Sequence, residues 1–396
     1  MIGGGVVGAA CAYELARRGS TVVLVERDEL AAGASGRNQG WFVLSDDPPL
    51  RPMSAGSLAM YRDVVEASEV PVRFDRDPVG HLMVATTDAG AEVLRSRVAE
   101  RRAAGTHAER LDDVRDVEPA LTPDLVESWL LDQGRRIDPG ALTVALALAA
   151  RAHGAEVRTH CTVRDLVENG SRVRGVVTDD GIVHADTVVL AAGPWSSPLA
   201  RKRGIVVPVH GARGWIVELN GTPGLLRHLI EEEDGDSSER ESAPTAAELG
   251  GSRPRDSGVS ALLHQSSDDA VVCGASHHLA LRPEAEDVDA PARIARRAVR
   301  VAPALADLTV RGIRWGIRPM SPDDRPLVGW LRDGLLAATG HGPEGVLLAG
   351  GTAQLAASMV LDEPQPFDAT AFDPFRFGAD ASGVRLARDM AERDRC

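Results

Sequence analysis

MIGGGVVGAACAYELARRGSTVVLVERD, residues 1–28, decides how the rest of the chain is read. Gly3, Gly5 and Gly8 fit G-x-G-x-x-G. Residues 6–18 read as a helix, and Gly19 suits its left-handed stop. Residues 21–26 are an apolar run closed by an acid, the pattern of a buried parallel strand. In such a unit Gly3 permits the tight turn and Gly5 lets the backbone approach a pyrophosphate. Gly8 lets the helix sit close to the sheet. Val6 and Val7 open the helix, whose positive end faces the phosphates. Glu26, with Arg27 beside it, stands 23 residues after Gly3, where a carboxylate accepts from adenosine ribose hydroxyls. An acid there disfavours a 2′-phosphate but leaves NAD and FAD both open.

The motif ordinarily follows a strand that is central in a doubly wound sheet, and only Met1 and Ile2 precede it here. Losing about four residues of such a strand removes on the order of several kcal/mol of burial and ladder bonding. The missing strand therefore predicts a natural start upstream.

At 396 residues the chain has room for two domains with substantial cores. A net charge of −14 argues against nucleic acid or anionic membrane as partners. Lys202 is the sole lysine, and arginine supplies the other positive charges. Cys11, Cys161, Cys273 and Cys396 form neither a C-x-x-C pair nor a zinc pattern, so free thiols in a reducing cytoplasm are expected and no metal site. No apolar run reaches about 18 residues, so no membrane span is predicted, and no signal peptide precedes the first motif.

Further along, residues 141–153 read as a helix stopped by Gly154. Residues 156–158 and 162–167 read as strands. Residues 173–178 and 182–184 form a hairpin across Asp180-Gly181. Residues 187–190 run as a buried strand into Ala191-Ala192-Gly193. Residues 335–338 read as a strand, 340–345 as a turn-rich loop and 346–361 as a small-residue helix. Between these blocks, residues 81–86 read as a strand, and 91–104 and 291–301 as helices. Residues 231–258 are acidic, Ser/Gly-rich and aromatic-free, and read as a mobile surface loop without chemistry. The tail from Ala379 reads as peripheral.

Six stretches in this order resemble the D-amino-acid-oxidase-like (DAO) family of FAD-dependent oxidoreductases, which includes glycine oxidase, sarcosine oxidase and D-amino acid dehydrogenases. They are GGGVVG (3–8), VERD (25–28), AAGASGRNQG (31–40), VVLAAGPWS (188–196), GIRPMSPDDRPLVG (316–329) and GHGPEGV (340–346). The resemblance spans residue 3 to about residue 377 and favours FAD over NAD. It implies an α/β fold: a discontinuous Rossmann-like FAD-binding domain (1–42, 138–204 and 311–378) and an α+β substrate domain with an antiparallel sheet (43–137 and 205–310).

The resemblance also implies roles. Val163 would contact adenine through its backbone. Ser35, Gly36, Arg37, Asn38 and Gln39 would lie along the pyrophosphate and ribityl chain. Ala192, Gly193 and Trp195 would line the cofactor tunnel. Gly340, Gly342, Gly345 and Val346 would aim backbone amides at the flavin edge that gains negative charge on reduction. Arg318 would fork onto a substrate carboxylate, a geometry that guanidinium matches bidentately; an ion pair to an acid such as Asp323 is the competing reading. His264, within strand residues 261–265, is the candidate substrate-facing histidine, with a structural role as its alternative. A structural role is preferred for His264, His210 and His341 alike, and adjacent His277-His278 does not make a shared metal site.

Some positions depart from the family. Pro343 replaces the loop arginine of glycine oxidase, and Ala261 falls near its substrate tyrosine. A bulkier amino acid or a secondary amine is therefore expected in place of glycine. Arg37 and Gly316 stand where relatives attach flavin covalently, so non-covalent FAD is expected. Lys202 lies away from the expected flavin face, which leans toward an acceptor other than oxygen and a possible electron-acceptor partner. The competing classes are a flavin-binding subunit of a larger dehydrogenase and an N-terminally truncated inactive flavoprotein.

Overall fold

The structure, a computed structural model, describes residues 1–233, 259–276 and 289–378. The expectations for residues 234–258, for His277 and His278, for Cys396 and for the tail lie outside the described residues. Among these residues the helices are α1 (Val6–Arg17), α2 (Leu50–Ala67), α3 (Asp88–Ala103), α4 (Pro139–Ala152), α5 (Ser196–Arg201), α6 (Ala290–Val301) and α7 (Gly345–Val360).

The opening motif folds as the glycines require. The strand expected over 21–26 contracts to Val23–Val25, which pairs in parallel with Glu156–Arg158. Val188–Leu190 pairs in parallel with Leu335–Thr339, which pairs antiparallel with Leu327–Arg332. Ile2 joins the two halves through parallel bridges to Val25 and Leu190. The N–H of Ile2 donates to Val189 O, that of Gly3 to Val25 O and that of Ala191 to Ile2 O, each at 2.9 Å. Ile2 thus occupies the central position between the two halves, and Met1 adds bonds to Val23 O at 2.8 Å and from Val25 N–H at 3.0 Å.

Helices α1, α4, α7 and α2 close over this sheet in one core. Ala9, Ala10, Cys11 and Ala12 on α1 are fully buried in it, as are Leu142 and Leu146 on α4 and Leu348 and Ala353 on α7. Small residues let the helices approach closely. A Cβ on Gly350 or Gly351 would overlap the α2 backbone at Ser57 or Met53, and Ser57 Oγ instead accepts both glycine N–H groups. So α2, which lies in the stretch expected to serve substrate, packs on the nucleotide side. Asp138 caps α4 by accepting from Ala141 N–H, with Pro139 in the first turn. Gly19, at φ 89°, stops α1 as predicted.

The second body is an eight-stranded sheet in the order Val310–Met320, His210–Asn220, Ala270–Ser276, Val259–Ser267, Leu229–Glu233, His81–Ala85, Glu127–Leu131, Ala108–Arg110. Every neighbour pair is antiparallel except Leu229–Glu233 with His81–Ala85. Strand Val310–Met320, whose sequence reads with the cofactor-binding segment, is one of the two edge strands of this sheet. Ile294, Ala298 and Val301 of α6 are buried against one face with Leu82, Leu263 and Val271.

The acidic run beginning at Glu231 is corrected by this sheet. Residues 231–233 are not solvated loop but the end of a buried interior strand. Glu232, 4% exposed, accepts from Thr86, Arg297 and Arg300, and Glu231 and Glu233 meet Arg97. Arginines from α3 and α6 neutralise carboxylates that alternation forces inward, which is what makes a buried acidic strand tolerable.

Candidate active site

A cavity of about 630 Å³ runs from the N-terminus of α1 to the face of the eight-stranded sheet away from α6. Its nucleotide side is built by the opening motif. Gly3 sits at φ 106°, and a Cβ there would overlap Ala191 O. A Cβ on Gly8 would overlap Gly3 O, so Gly8 serves the turn from behind the wall and does not line the cavity. Gly5, Val6 and Val7 do line it. Ser35 Oγ accepts the Val6 N–H at 2.9 Å, which places a hydroxyl at the first turn of α1. Glu26 lines the same wall, its two oxygens accepting from Gly4 N–H at 2.6 Å and Asp28 N–H at 2.9 Å.

The cavity mouth here is an aromatic–cation stack. The Arg27 guanidinium lies 3.9 Å from the Trp195 ring centroid, and both line the opening. Val163, Ala192 and Gly193 complete this side with Arg37 and Asn38. Lys202 also lines it, its ammonium donating to Arg164 O at 2.8 Å. Gly36 does not reach the cavity; a Cβ there would crowd Ala31 O, so it shapes the turn before Arg37. Gly340 is likewise off the wall and supplies a turn at φ 75°, while Gly342, Gly345 and Val346 do line it.

On the sheet side, six successive strands each supply a wall residue: Arg318, Ile216, Ala275, Leu262, Glu231 and His81. Arg318 is half-buried and its Nη1 donates to Ser276 O at 2.9 Å. Its guanidinium lies over Gly214, where any Cβ would collide with it. The competing ion pair with Asp323 is not formed, because Asp323 is gripped by Arg376 at 2.7 and 2.8 Å. The sheet thus delivers a guanidinium to the cavity through a gap that glycine leaves open.

His264 is corrected. It is 1% exposed, does not line the cavity, and its Nε2 contacts Gln39 O at 2.5 Å. Burial lowers its pKa to about 3, with the Arg136, Arg73 and Arg314 charges adding in the same direction, against the hydrogen bond to Gln39. It is a neutral strut behind the Gln39 backbone, the structural alternative the sequence left open. His341 lines the cavity but is spoken for: Nε2 meets Thr352 Oγ1 at 2.9 Å and burial lowers its pKa to about 3.

Several wall residues were not singled out from sequence. Trp41, His81 and Arg101 line the sheet side. His81 is 1% exposed and its Nε2 lies 2.9 Å from Glu231 Oε2. Glu344 lies in the GHGPEGV stretch (340–346), where the resemblance assigns a role to backbone amides alone. Tertiary contact between distant strands brings these side chains together, and no local spacing marks them.

The apolar cradle, the helix N-terminus, the bare glycine backbone and the acid at Glu26 fit an adenine dinucleotide on the nucleotide side. The family model described as "FAD dependent oxidoreductase" (DAO) matches residues 1–359. Among curated proteins, the chain is 29% identical to 4-methylaminobutanoate oxidase (formaldehyde-forming) of Paenarthrobacter nicotinovorans, covering 95% of this chain and 45% of that protein. It is 26% identical to hydrogen cyanide synthase subunit HcnC of Pseudomonas aeruginosa, covering 97% of each. The chain thus spans about half the length of the first of these relatives and nearly all of the second. Among solved structures, glycine oxidase from Geobacillus kaustophilus superposes with a TM-score of 0.81 at 25% identity, covering 95% of this chain and 97% of that one. Among the described residues no helix is long and apolar enough to cross a membrane.

Proposed function

The chain belongs to the DAO family of FAD-dependent oxidoreductases, and on that premise we propose that it oxidises the C–N bond of an amino acid or secondary amine, with hydride transfer to flavin N5. The product is an imine that hydrolyses to a carbonyl compound and an amine. Gly3, Gly5, Ser35, Glu26, Val163 and Gly193 would hold the dinucleotide. Bound there, the isoalloxazine supplies the two-electron acceptor.

The protein's share is positioning and electrostatics. Arg318 orients the substrate by its carboxylate, and that cavity-facing guanidinium is the observation that carries the reading. Ile216, Leu262 and Ala275 form an apolar floor that keeps water from the bound amine. The first turn of α7 presents its positive end to the cavity, where negative charge would gather on reduction. The named activities of the amine- and glycine-oxidising relatives support this class. Pro343, which lines the cavity where glycine oxidase carries a loop arginine, favours a substrate other than glycine, whereas Ala261 is buried in the core under α6 and does not line the cavity.

One observation favours a second reading. The match to a synthase subunit covers 97% of both chains, which suits a flavin-binding subunit that passes electrons to a partner. An anaerobic screen of D-amino acids, N-methyl amino acids and opines decides between them. Loss of the flavin band near about 450 nm with one of these amines supports oxidation by the chain itself. A loaded flavin that no amine bleaches favours the partner-dependent subunit.

A further inference from the structure

Five cavity-lining residues carry buried polar side-chain atoms without a hydrogen-bond partner among the described residues: Gln39 Oε1, Trp41 Nε1, both His81 ring nitrogens, Arg101 Nη1 and Glu344 Oε2. Two of these have ionic neighbours, since His81 Nε2 lies by Glu231 and Arg101 by Asp46 at 2.8 Å. Glu344 has none. Its loop is held against the substrate side by an antiparallel bridge between Met320 and His341. Arg318 lies two residues before Met320 on the same strand, and Glu344 three residues after His341. The fold therefore puts a guanidinium and a carboxyl with an unpartnered oxygen on adjoining elements of the cavity wall.

The charged groups around Glu344 leave it without a cation. Arg101 is engaged by Asp46, Arg325 by Asp47 at 2.8 and 3.1 Å, and Arg376 by Asp323. Asp46, Asp47 and Asp324 add negative charge, and Arg101 alone opposes it. Burial first, and these acids next, raise the Glu344 pKa to about 7. A buried carboxyl with no donor is costly unless something polar arrives to meet it.

We propose that Glu344 receives the protonated nitrogen of the substrate and takes its proton before oxidation. The inference rests on the amine reading above and deepens it. An amino acid would lie as a zwitterion, its carboxylate on Arg318 and its nitrogen on Glu344. One N–H bond breaks and one O–H bond forms on the carboxylate. The freed lone pair then supports hydride departure from the adjacent carbon, and the proton later leaves to solvent. No electrons change hands in the proton step.

The test uses the FAD-loaded full chain and N,N,N-trimethylglycine, a fixed cation with a carboxylate and no removable proton. Its binding is read from the flavin difference spectrum, so no turnover is needed. With Glu344 ionising near neutrality, the dissociation constant falls about tenfold from pH 6 to pH 8. In Glu344→Gln it is weak and flat across that range, and Glu344→Asp restores the pH dependence in part. Absent binding overturns the proposal, as does binding by the unaltered protein that is flat with pH; the latter needs no variant to fold. For any amine that bleaches the flavin, the reductive rate should rise with pH through about 7 and lose that limb in Glu344→Gln. Reduction with the same profile in both proteins sinks the role of Glu344 but leaves amine oxidation standing. Glu344-dependent binding of the probe without reduction by any amine does the reverse.

Discussion

The two sides of the cavity are built on opposite principles. On the nucleotide side the polar groups are already answered within the protein. Glu26 holds two backbone N–H groups, Ser35 holds the first turn of α1, and Asn38 donates to Ser35 O at 2.8 Å. On the sheet side Gln39, Trp41 and Glu344 wait with buried atoms unpartnered. The first is a rigid cradle defined by backbone shape, and the second is a set of unmet chemical demands. A fixed dinucleotide calls for the former. A substrate that must bind, react and leave calls for the latter, because contacts formed only with it confer selectivity.

The comparison breaks most severely at Gly8. Gly8→Val places side-chain atoms into Gly3 O, and the turn cannot form with the helix in place. We expect loss of bound flavin and a destabilisation on the order of 3 kcal/mol or more, seen as a large drop in Tm, read from absorbance per protein and from thermal melting. Retained flavin with an unchanged Tm would dissolve the rigid-cradle account.

Arg318→Ala probes the other side. It should leave flavin content and Tm near those of the unaltered protein while raising KM about 100-fold, the scale of removing one partner of a close charge pair. An unchanged KM takes Arg318 out of the substrate site.

Acid sharpens the contrast through buried histidines. Burial lowers the pKa of His264 and His341 to about 3 and that of His210 to about 4, below the unfolded value of about 6.5. The unfolded chain therefore binds protons that the native state refuses. Their stability contribution is intact above about pH 6.5 and declines as pH falls toward 3–4. At pH 5, His264 and His341 should each cost about 2 kcal/mol. Chemical denaturation at pH 7 and pH 5 measures this, and His341→Asn should flatten part of the slope.

The smallest effect is expected at His264. Because it stands behind the Gln39 backbone, His264→Gln should change kcat/KM for the identified amine less than about threefold. A loss on the scale of Arg318→Ala would return it to the site.

The difference between the sides also explains what was legible. Gly3 announces itself by its positive φ and Gly8 because a Cβ there would overlap Gly3 O, demands that lie within eight residues, while the Ala191 O that also bars a Cβ at Gly3 is brought by the fold. Helix stops such as Gly19 and the cap at Asp138 are readable for the same reason. The acidic run from Glu231 misled because composition reports average solvation. Only strand pairing shows that Arg97, Arg297 and Arg300 come from other elements to neutralise it. His264 misled because alternation along a strand gives two faces without saying which one meets the cavity.

From its sequence alone the chain determined an adenine-dinucleotide unit, its family and the guanidinium it offers, since each rests on short-range backbone constraints or contiguous motifs. The tertiary structure alone decided that Ile2 joins the two halves of the parallel sheet, which side chains share the sheet-side wall of the cavity, and that Glu344 is left without a counter-ion. Those outcomes depend on residues hundreds of positions apart meeting across a sheet, and pairwise proximity is written in the fold and not in any local stretch of chain.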